Sequence, residues 1–182
     1  MYRIQEINSG SILIDGYDIT KIPLQVLRKR LAIIPQDPTL FSGTIRFNLD
    51  PFDEYSDDNI FTVLKHVCLF DYIDSLEGKL LEVVREKGEN FSQGQKQLLC
   101  IGRALLMEAK VLLIDEGTSA CDPHTDKLIQ DILKKFVIDK GMTLLTIAHR
   151  LQTIIDYDKI LGNSNITINT NILIPLSILI LN

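Results

Sequence analysis

The chain has 182 residues, of which 46% are hydrophobic and 24% are charged, and its net charge is −5. This length and composition are ordinary for one globular domain with its own core, and they exclude a disordered tail. Because sequence-independent affinity for nucleic acids comes from clustered Lys and Arg, the acidic balance also argues against a nucleic-acid partner.

Cysteine content and hydrophobic patterning narrow the class of protein further. The cysteines Cys68, Cys100 and Cys121 are odd in number and lack metal-ligand spacing, so we expect reduced thiols in a cytosolic compartment. The first ten residues lack the pattern of a signal peptide, and no uninterrupted apolar stretch has membrane-spanning length. We therefore expect any membrane association to come through a partner.

The first 35 residues contain two strand patterns with a short helical pattern between them. A short β pattern over residues 11–14 ends in a turn signal, and residues 24–30 fit one or two helical turns. A second, apolar strand is predicted over residues 31–34 and stops at Pro35.

The middle of the chain is predicted to be mostly helical after an initial loop. Residues 37–51 have the composition of a loop, and Ser56 or Asp57 is then expected to cap a helix. Further along, Ser92 and Gln95 have the spacing of a capping box, which predicts a helix N-terminus near Ser92.

Strand and helix patterns alternate in the last part of the chain. Residues 111–115 and 143–148 are apolar runs typical of buried strands, and the second run leads into His149. Between them, Asp122 and Pro123 fit a helix cap followed by a proline in the first turn. This alternation predicts an α/β fold with a parallel sheet, whose sites lie at the carboxyl ends of the strands.

Four polar residues lie at or just past such predicted strand ends. Gln36 follows the apolar strand predicted at residues 31–34, and Asp115 and Glu116 lie at the end of the strand that begins at residue 111. His149 follows the strand predicted at residues 143–148. Ionised carboxylates at the end of a buried strand cost folding free energy unless a cation pairs with them or catalysis requires them, so the pattern predicts a metal or catalytic site. Taken singly, each residue also fits a structural interpretation, as a strand-end cap, a solvated loop residue or a structural histidine.

The residues after about position 161 differ in character from the rest. They contain no charged residue and are dominated by Asn, Ile and Leu. The apolar part is broken by Pro175 and Ser177 and has no flanking Lys or Arg, so it fits a transmembrane helix poorly. We expect residues 163–182 to be an atypical tail outside the fold.

Five segments resemble, in family order, the motifs of the nucleotide-binding domain of ATP-binding cassette (ABC) transporters. They are IIPQDPTLFSGTIRFNLDP for the Q-loop, ENFSQGQKQLLCIGRALL for the signature motif, VLLIDE for Walker B, SACD for the D-loop and TIAHR for the switch histidine. Together they cover residues 10 to about 160. The first two are most similar to the second nucleotide-binding domain of the C subfamily, the multidrug-resistance-associated proteins. The third position of the signature motif, Gln93 here, is often not glycine in that subfamily, so Gln93 is only a mild departure from the family pattern.

The resemblance implies a P-loop NTPase-type α/β fold with a parallel-sheet core plus a helical subdomain. Residues 1–40 and 109–162 would form the core, and residues 41–108 the helical signature subdomain. The phosphate-binding motif G-x-x-x-x-G-K-[ST] has no match, since the only Gly-Lys pair, Gly78-Lys79, is followed by leucine. By resemblance the sequence begins just after the Walker A helix, so we expect the domain to be truncated before Walker A.

ATP and Mg²⁺ are the cofactors that the resemblance implies. Asp115 and Gln36 would hold Mg²⁺, the second of them also contacting the attacking water. Glu116 would be the general base for that water, and His149 would contact the γ-phosphate and steady the base.

A second group of residues is implied to bind ATP across a domain interface. Ser92, Gly94 and Gln95, at the predicted helix N-terminus, would bind the γ-phosphate of ATP held by the partner domain. Asp122 would lie in the D-loop that crosses the dimer interface. A simple capping box at Ser92 is compatible with this role.

The expected function is that of part of an ABC exporter nucleotide-binding domain on the cytosolic face of a membrane. Its partners would be a second nucleotide-binding domain in a head-to-tail dimer and the transmembrane domains, and ATP hydrolysis would drive solute export. Without the phosphate cradle, the chain alone is expected to be a poor or inactive ATPase. Two alternatives stay open: a non-catalytic module that completes a partner domain's ATP site, and a non-functional gene fragment.

Overall fold

A computed structural model gives the fold. It describes residues 1–7, 10–107, 109–115, 122–147, 159–161 and 177–180, the last two ranges by their backbone.

Among these residues the strands are β1 (Leu13–Ile14), β2 (Tyr17–Asp18), β3 (Leu31–Ile34), β4 (Gly43–Thr44), β5 (Val83–Val84), β6 (Val111–Asp115), β7 (Thr143–Ile147), β8 (Lys159–Leu161) and β9 (Ser177–Ile180). The helices are α1 (Leu24–Lys29), α2 (Ile45–Leu49), α3 (Asp57–His66), α4 (Phe70–Ser75), α5 (Gln93–Leu106) and α6 (Pro123–Lys140). Short 3-10 turns occur at Lys79–Leu81 and Glu86–Gly88.

A five-stranded sheet in the order β3-β6-β7-β9-β8 forms the centre of the molecule. All of its neighbouring strands are parallel, with Ile34 opposite Ile114 and Asp115 opposite Ile147. The apolar runs of β3, β6 and β7 supply the buried centre, which includes Leu112 and Leu144. The predicted α/β fold with a parallel sheet is therefore confirmed.

The helices pack around α5, whose buried face continues from Gln97 to Leu106. α5 contacts β3 on one side and α2 and α3 on the other, so one hydrophobic core joins the sheet to the helical region. Predicted caps begin three helices: Ser56 caps α3, Ser92 caps α5 and Asp122 caps α6. The caps predicted at Ser92 and Asp122 are confirmed, and of the two candidates Ser56 and Asp57 the cap of α3 is Ser56.

Residues 37–51, predicted as a loop, contain β4 and α2. Thr44 caps α2 by accepting a hydrogen bond from the Phe47 N–H at 3.0 Å, and Ile45 and Leu49 are buried. The prediction was wrong for this segment because its helix is stabilised mainly by tertiary burial rather than by its composition.

The backbone of β9 lies between β7 and β8 in the sheet. This differs from the expectation that residues 163–182 lie outside the fold, and the division into core and helical subdomain stays a prediction. In the part of the chain that the structure describes, no helix combines the length and the hydrophobicity that a bilayer span requires.

Candidate functional site

The carboxyl edge of the sheet brings two of the predicted site residues to one place. Gln36 follows β3 by two residues, and Asp115 is the last residue of β6, the strand that pairs with β3. Both side chains are exposed at this edge. Glu116 and His149 lie outside the described residues, so their predicted roles stay predictions.

The chemistry of Gln36 and Asp115 fits Mg²⁺. Amide and carboxylate oxygens are hard donors, and Mg²⁺ in phosphate-binding sites commonly takes one or two protein ligands together with waters and substrate oxygens. Within the described ranges no group of three or more His, Cys, Asp or Glu side chains could hold a metal ion by itself. Gln36 and Asp115 thus provide two oxygen donors of the kind that Mg²⁺ prefers.

The N-terminus of α5 forms the second predicted group. Ser92 Oγ accepts a hydrogen bond from the Gln95 N–H at 3.2 Å, and Gln95 Oε1 accepts one from the Ser92 N–H at 2.9 Å. This capping box fixes the direction in which the 14-residue helix begins. The first N–H groups of a helix have no acceptor within the helix and carry a partial positive charge, so this end attracts anions.

Asp122 begins α6 as its N-cap. Its Oδ1 accepts hydrogen bonds from the N–H groups of His124 and Thr125, each at 3.1 Å, and its Oδ2 accepts one from Thr125 Oγ1 at 2.6 Å. The bonds from Thr125 hold the pKa of the Asp122 carboxyl below its ordinary value. The exposed carboxylate is therefore fixed in position and ionised at neutral pH.

The two helix N-termini are close to each other. A Cβ atom placed on Gly94 would lie 2.8 Å from Thr125 Cγ2. The predicted residues thus fall into two groups, one at the sheet edge with Gln36 and Asp115, and one at the starts of α5 and α6.

Sequence analysis missed a partly buried polar network that joins α5 to the segment following Gln36. The Arg103 guanidinium, on α5, donates to the Thr39 carbonyl at 2.7 Å, to Asn48 Oδ1 at 2.7 Å and to the Asn48 carbonyl. Asn48 is buried and also bonds both backbone groups of Phe41, at 2.8 and 2.7 Å. The one available signal was an arginine within the apolar run of α5, but its partners lie 55 and 64 residues away in sequence.

Comparisons with known proteins identify the family. A family model described as "ABC transporter" matches residues 1–119. ABC transporter C family member 3 of Dictyostelium discoideum is 53% identical over 162 residues, a match that covers 88% of this chain and 11% of that protein. ATP-binding cassette sub-family C member 2 of Rattus norvegicus is 50% identical over 165 residues, covering 91% of this chain and 11% of that protein.

A solved structure agrees with these matches. The structure of a bacterial Atm1-family ABC exporter with ATP bound superimposes with a TM-score of 0.76 at 37% identity, covering 85% of this chain and 27% of that one. Fold, motifs and sequence identity agree over most of the chain. These 182 residues therefore belong to the ABC transporter family and match the nucleotide-binding domain of its C subfamily.

Proposed function

We propose that these residues carry the magnesium-binding and signature-bearing parts of a nucleotide-binding domain that couples ATP hydrolysis to solute export. The chain corresponds to part of an exporter-type nucleotide-binding domain. Its position in a complete transporter, at the cytosolic face of a membrane and in contact with transmembrane domains, is part of the proposal.

The N-terminus of α5 is the observation that carries the proposal. α3 has the same kind of capping box as α5, but Asp57 and Asp58 occupy its first turn and complement the positive end of its helix dipole. The first turn of α5 contains no acidic residue, and Ser92 is exposed. The partial positive charge at the start of α5 is therefore not balanced by a carboxylate in its own first turn, in contrast to that of α3. An external anion such as a phosphate group would be favoured at this end of α5.

The sheet edge would supply the other half of the chemistry. Mg·ATP, when bound, provides the phosphoryl group that water attacks. Asp115 and Gln36 would hold the metal ion through oxygen atoms, Glu116 would accept the proton of the water, and His149 would position that base. Asp115 is exposed at the end of a buried strand, which suits a metal-binding carboxylate because the strand fixes its backbone.

A second function, as a module that works in trans, is favoured by the same end of α5. No G-x-x-x-x-G-K-[ST] motif occurs in the 182 residues, so the phosphate cradle would come from elsewhere. In a head-to-tail pair, Ser92, Gly94 and Gln95 would complete the ATP site of a second nucleotide-binding domain, with Asp122 close to the interface. We propose that the chain alone hydrolyses ATP poorly or not at all.

Turnover and association measurements test both functions. The purified 182-residue chain is assayed with Mg·ATP alone and mixed with an intact C-subfamily nucleotide-binding domain. We expect no turnover by the chain alone and ATP-dependent association in the mixture. Turnover by the chain alone contradicts the proposed dependence on an external phosphate cradle. If turnover in the mixture equals the sum of the two separate activities and no association is detected, the function in trans is contradicted. The remaining alternative is then a non-functional gene fragment.

Ser92→Ala and Ser56→Ala form a matched pair of variants for this assay. Each removes the N-cap of a helix with a capping box, so each should cost about 1 kcal/mol of stability. Only Ser92→Ala should weaken the ATP-dependent association, by roughly tenfold, because a hydrogen bond to a charged phosphate is lost. Equal weakening by both variants would show that the effect comes from stability alone.

A further inference from the structure

Gly94 occupies a helical position at which alanine would ordinarily be the better residue. The structure gives a steric reason for the glycine. An added Cβ would lie 2.8 Å from Thr125 Cγ2, 3.5 Å from Thr125 Oγ1 and 3.7 Å from Thr125 Cβ. Carbon atoms that are not bonded pack at about 3.5–4.0 Å, so there is no room for the methyl group of alanine.

Thr125 has little freedom to make that room. Its Oγ1 donates to Asp122 Oδ2 at 2.6 Å, and its N–H donates to Asp122 Oδ1 at 3.1 Å. The side chain is β-branched, so rotation about χ1 moves the methyl and the hydroxyl together. Rotation that clears an atom at Gly94 would therefore break the hydroxyl bond to Asp122.

We propose that Thr125 is a positioning residue that joins the start of α5 to the Asp122 cap of α6, and that position 94 is glycine because Thr125 fills the adjacent space. The two groups in the predicted interface, Asp122 and the Ser92–Gln95 edge, then move as one unit. That this unit binds ATP rests on the proposed function, whereas the contact itself does not.

A rival explanation is that glycine is needed so that a bound phosphate can approach the backbone at residue 94. The two explanations differ in what Thr125 does. If packing requires the glycine, removing the Thr125 methyl should make alanine acceptable at residue 94 in the absence of any nucleotide. If ligand approach requires it, changes at Thr125 should have no influence on Gly94→Ala.

A double-mutant cycle in nucleotide-free protein separates these explanations. Thr125→Ser removes Cγ2 and keeps the hydroxyl that bonds Asp122. We expect Gly94→Ala to lower the melting temperature by roughly 4–8 °C in the wild-type background. In the Thr125→Ser background the same change should cause no loss, because the clashing methyl is gone.

Gly102→Ala is the matched control, since Gly102 lies on the same helix and its Cβ would meet Leu49 Cδ2 at 3.1 Å instead. Thr125→Ser should leave the loss caused by Gly102→Ala unchanged, because the two sites share no neighbour.

The carboxyl pKa of Asp122, measured by NMR titration, is the spectroscopic readout. It should rise in Gly94→Ala and return to its wild-type position in the Gly94→Ala/Thr125→Ser protein. Thr125→Val, which keeps the methyl and removes the hydroxyl, should raise this pKa and fail to rescue Gly94→Ala.

An equal loss of melting temperature from Gly94→Ala in both backgrounds, or an unchanged Asp122 pKa in Gly94→Ala, overturns the proposal. If Gly94→Ala alone does not fold, a folded Gly94→Ala/Thr125→Ser protein supports the proposal and an unfolded one overturns it. No nucleotide or partner domain enters these measurements, so failure of the ATP-dependent association leaves their outcome unaffected.

Discussion

Arg103 is held by oxygen atoms that carry no net charge. Its oxygen acceptors are the carbonyls of Thr39 and Asn48 and the Asn48 side chain, it also donates to Cys100 Sγ at 3.7 Å, and the centre of the Phe41 ring lies 5.7 Å from the guanidinium carbon. Burial lowers the pKa of this guanidinium, yet arginine stays protonated in folded proteins. Only a planar group with several N–H donors reaches three acceptors in this arrangement, so lysine is a poor substitute.

We predict that Arg103→Lys lowers the free energy of unfolding by about 2–3 kcal/mol, because the acceptors of the buried Asn48 and the Thr39 carbonyl lose their donors. Urea unfolding followed by circular dichroism measures the change. Arg85→Lys, at an exposed arginine, is the control and should change the free energy by less than about 0.5 kcal/mol. Similar effects of the two substitutions would contradict the importance of the polar network.

The hydrogen bonds to Asp122 make the stability of the fold depend on pH, and they determine the sign of that dependence. Since the folded-state pKa lies below the ordinary value of 3.8, this carboxyl stabilises the fold above the unfolded-state pKa. The contribution is lost as the pH falls through the folded-state pKa. We therefore expect the stability difference between wild type and Asp122→Asn to be largest near neutral pH and to shrink below pH 3.8. Urea midpoints measured at several pH values would show this, and a difference that grows in acid would contradict it.

At the scale of elements, the helix caps show how much local sequence predicts. The caps of α3, α5 and α6 consist of residues three apart or fewer in sequence, so Ser92 and Asp122 were identified without a structure and the cap of α3 was narrowed to Ser56 or Asp57. α2 was not identified, because Ile45 and Leu49 are stabilised by burial against distant parts of the chain.

The same distinction applies to the candidate site. The residues at the ends of β3 and β6 follow from strand patterns, so the places of Gln36 and Asp115 were predictable. The contact of Gly94 with Thr125 and that of Arg103 with Asn48 depend on how α5 packs, and the sequence carries no local signal for that packing.

Gly141 ends α6 in the left-handed conformation, with φ 60° and ψ 39°. We predict that Gly141→Ala lowers the free energy of unfolding by about 1 kcal/mol, because this conformation is unfavourable for a residue with a Cβ. Apart from its chain neighbours and the backbone of α6, no described residue has an atom within 4 Å of a Cβ added at Gly141, so the loss of stability reports backbone strain. Gly141→Asn should lower the free energy of unfolding by less, because asparagine tolerates the left-handed conformation better than alanine does. Thermal unfolding of the two variants measures the difference.

At the scale of the whole molecule, β9 connects the last strand of the sheet, β8, to the strands in its centre. β9 pairs with β7 on one side and β8 on the other, so its removal would leave β7 with an unpaired edge and β8 without its partner in the sheet. We predict that deleting residues 177–182 speeds amide hydrogen exchange in β7 by more than about tenfold while β3, at the other edge, changes less. Unchanged exchange in β7 would instead support the expectation that residues 163–182 lie outside the fold.

The uncharged partners of Arg103 have a consequence for how the molecule responds to acid. Neither a backbone carbonyl nor an amide gains a proton in moderately acidic solution, so the hydrogen bonds from Arg103 to Thr39 and Asn48 do not depend on pH there. The Asp122 cap does depend on it, because its carboxylate is neutralised in acid. Acid should therefore loosen the start of α6 before it releases α5, and proteolysis at low pH should first cut the chain near α6.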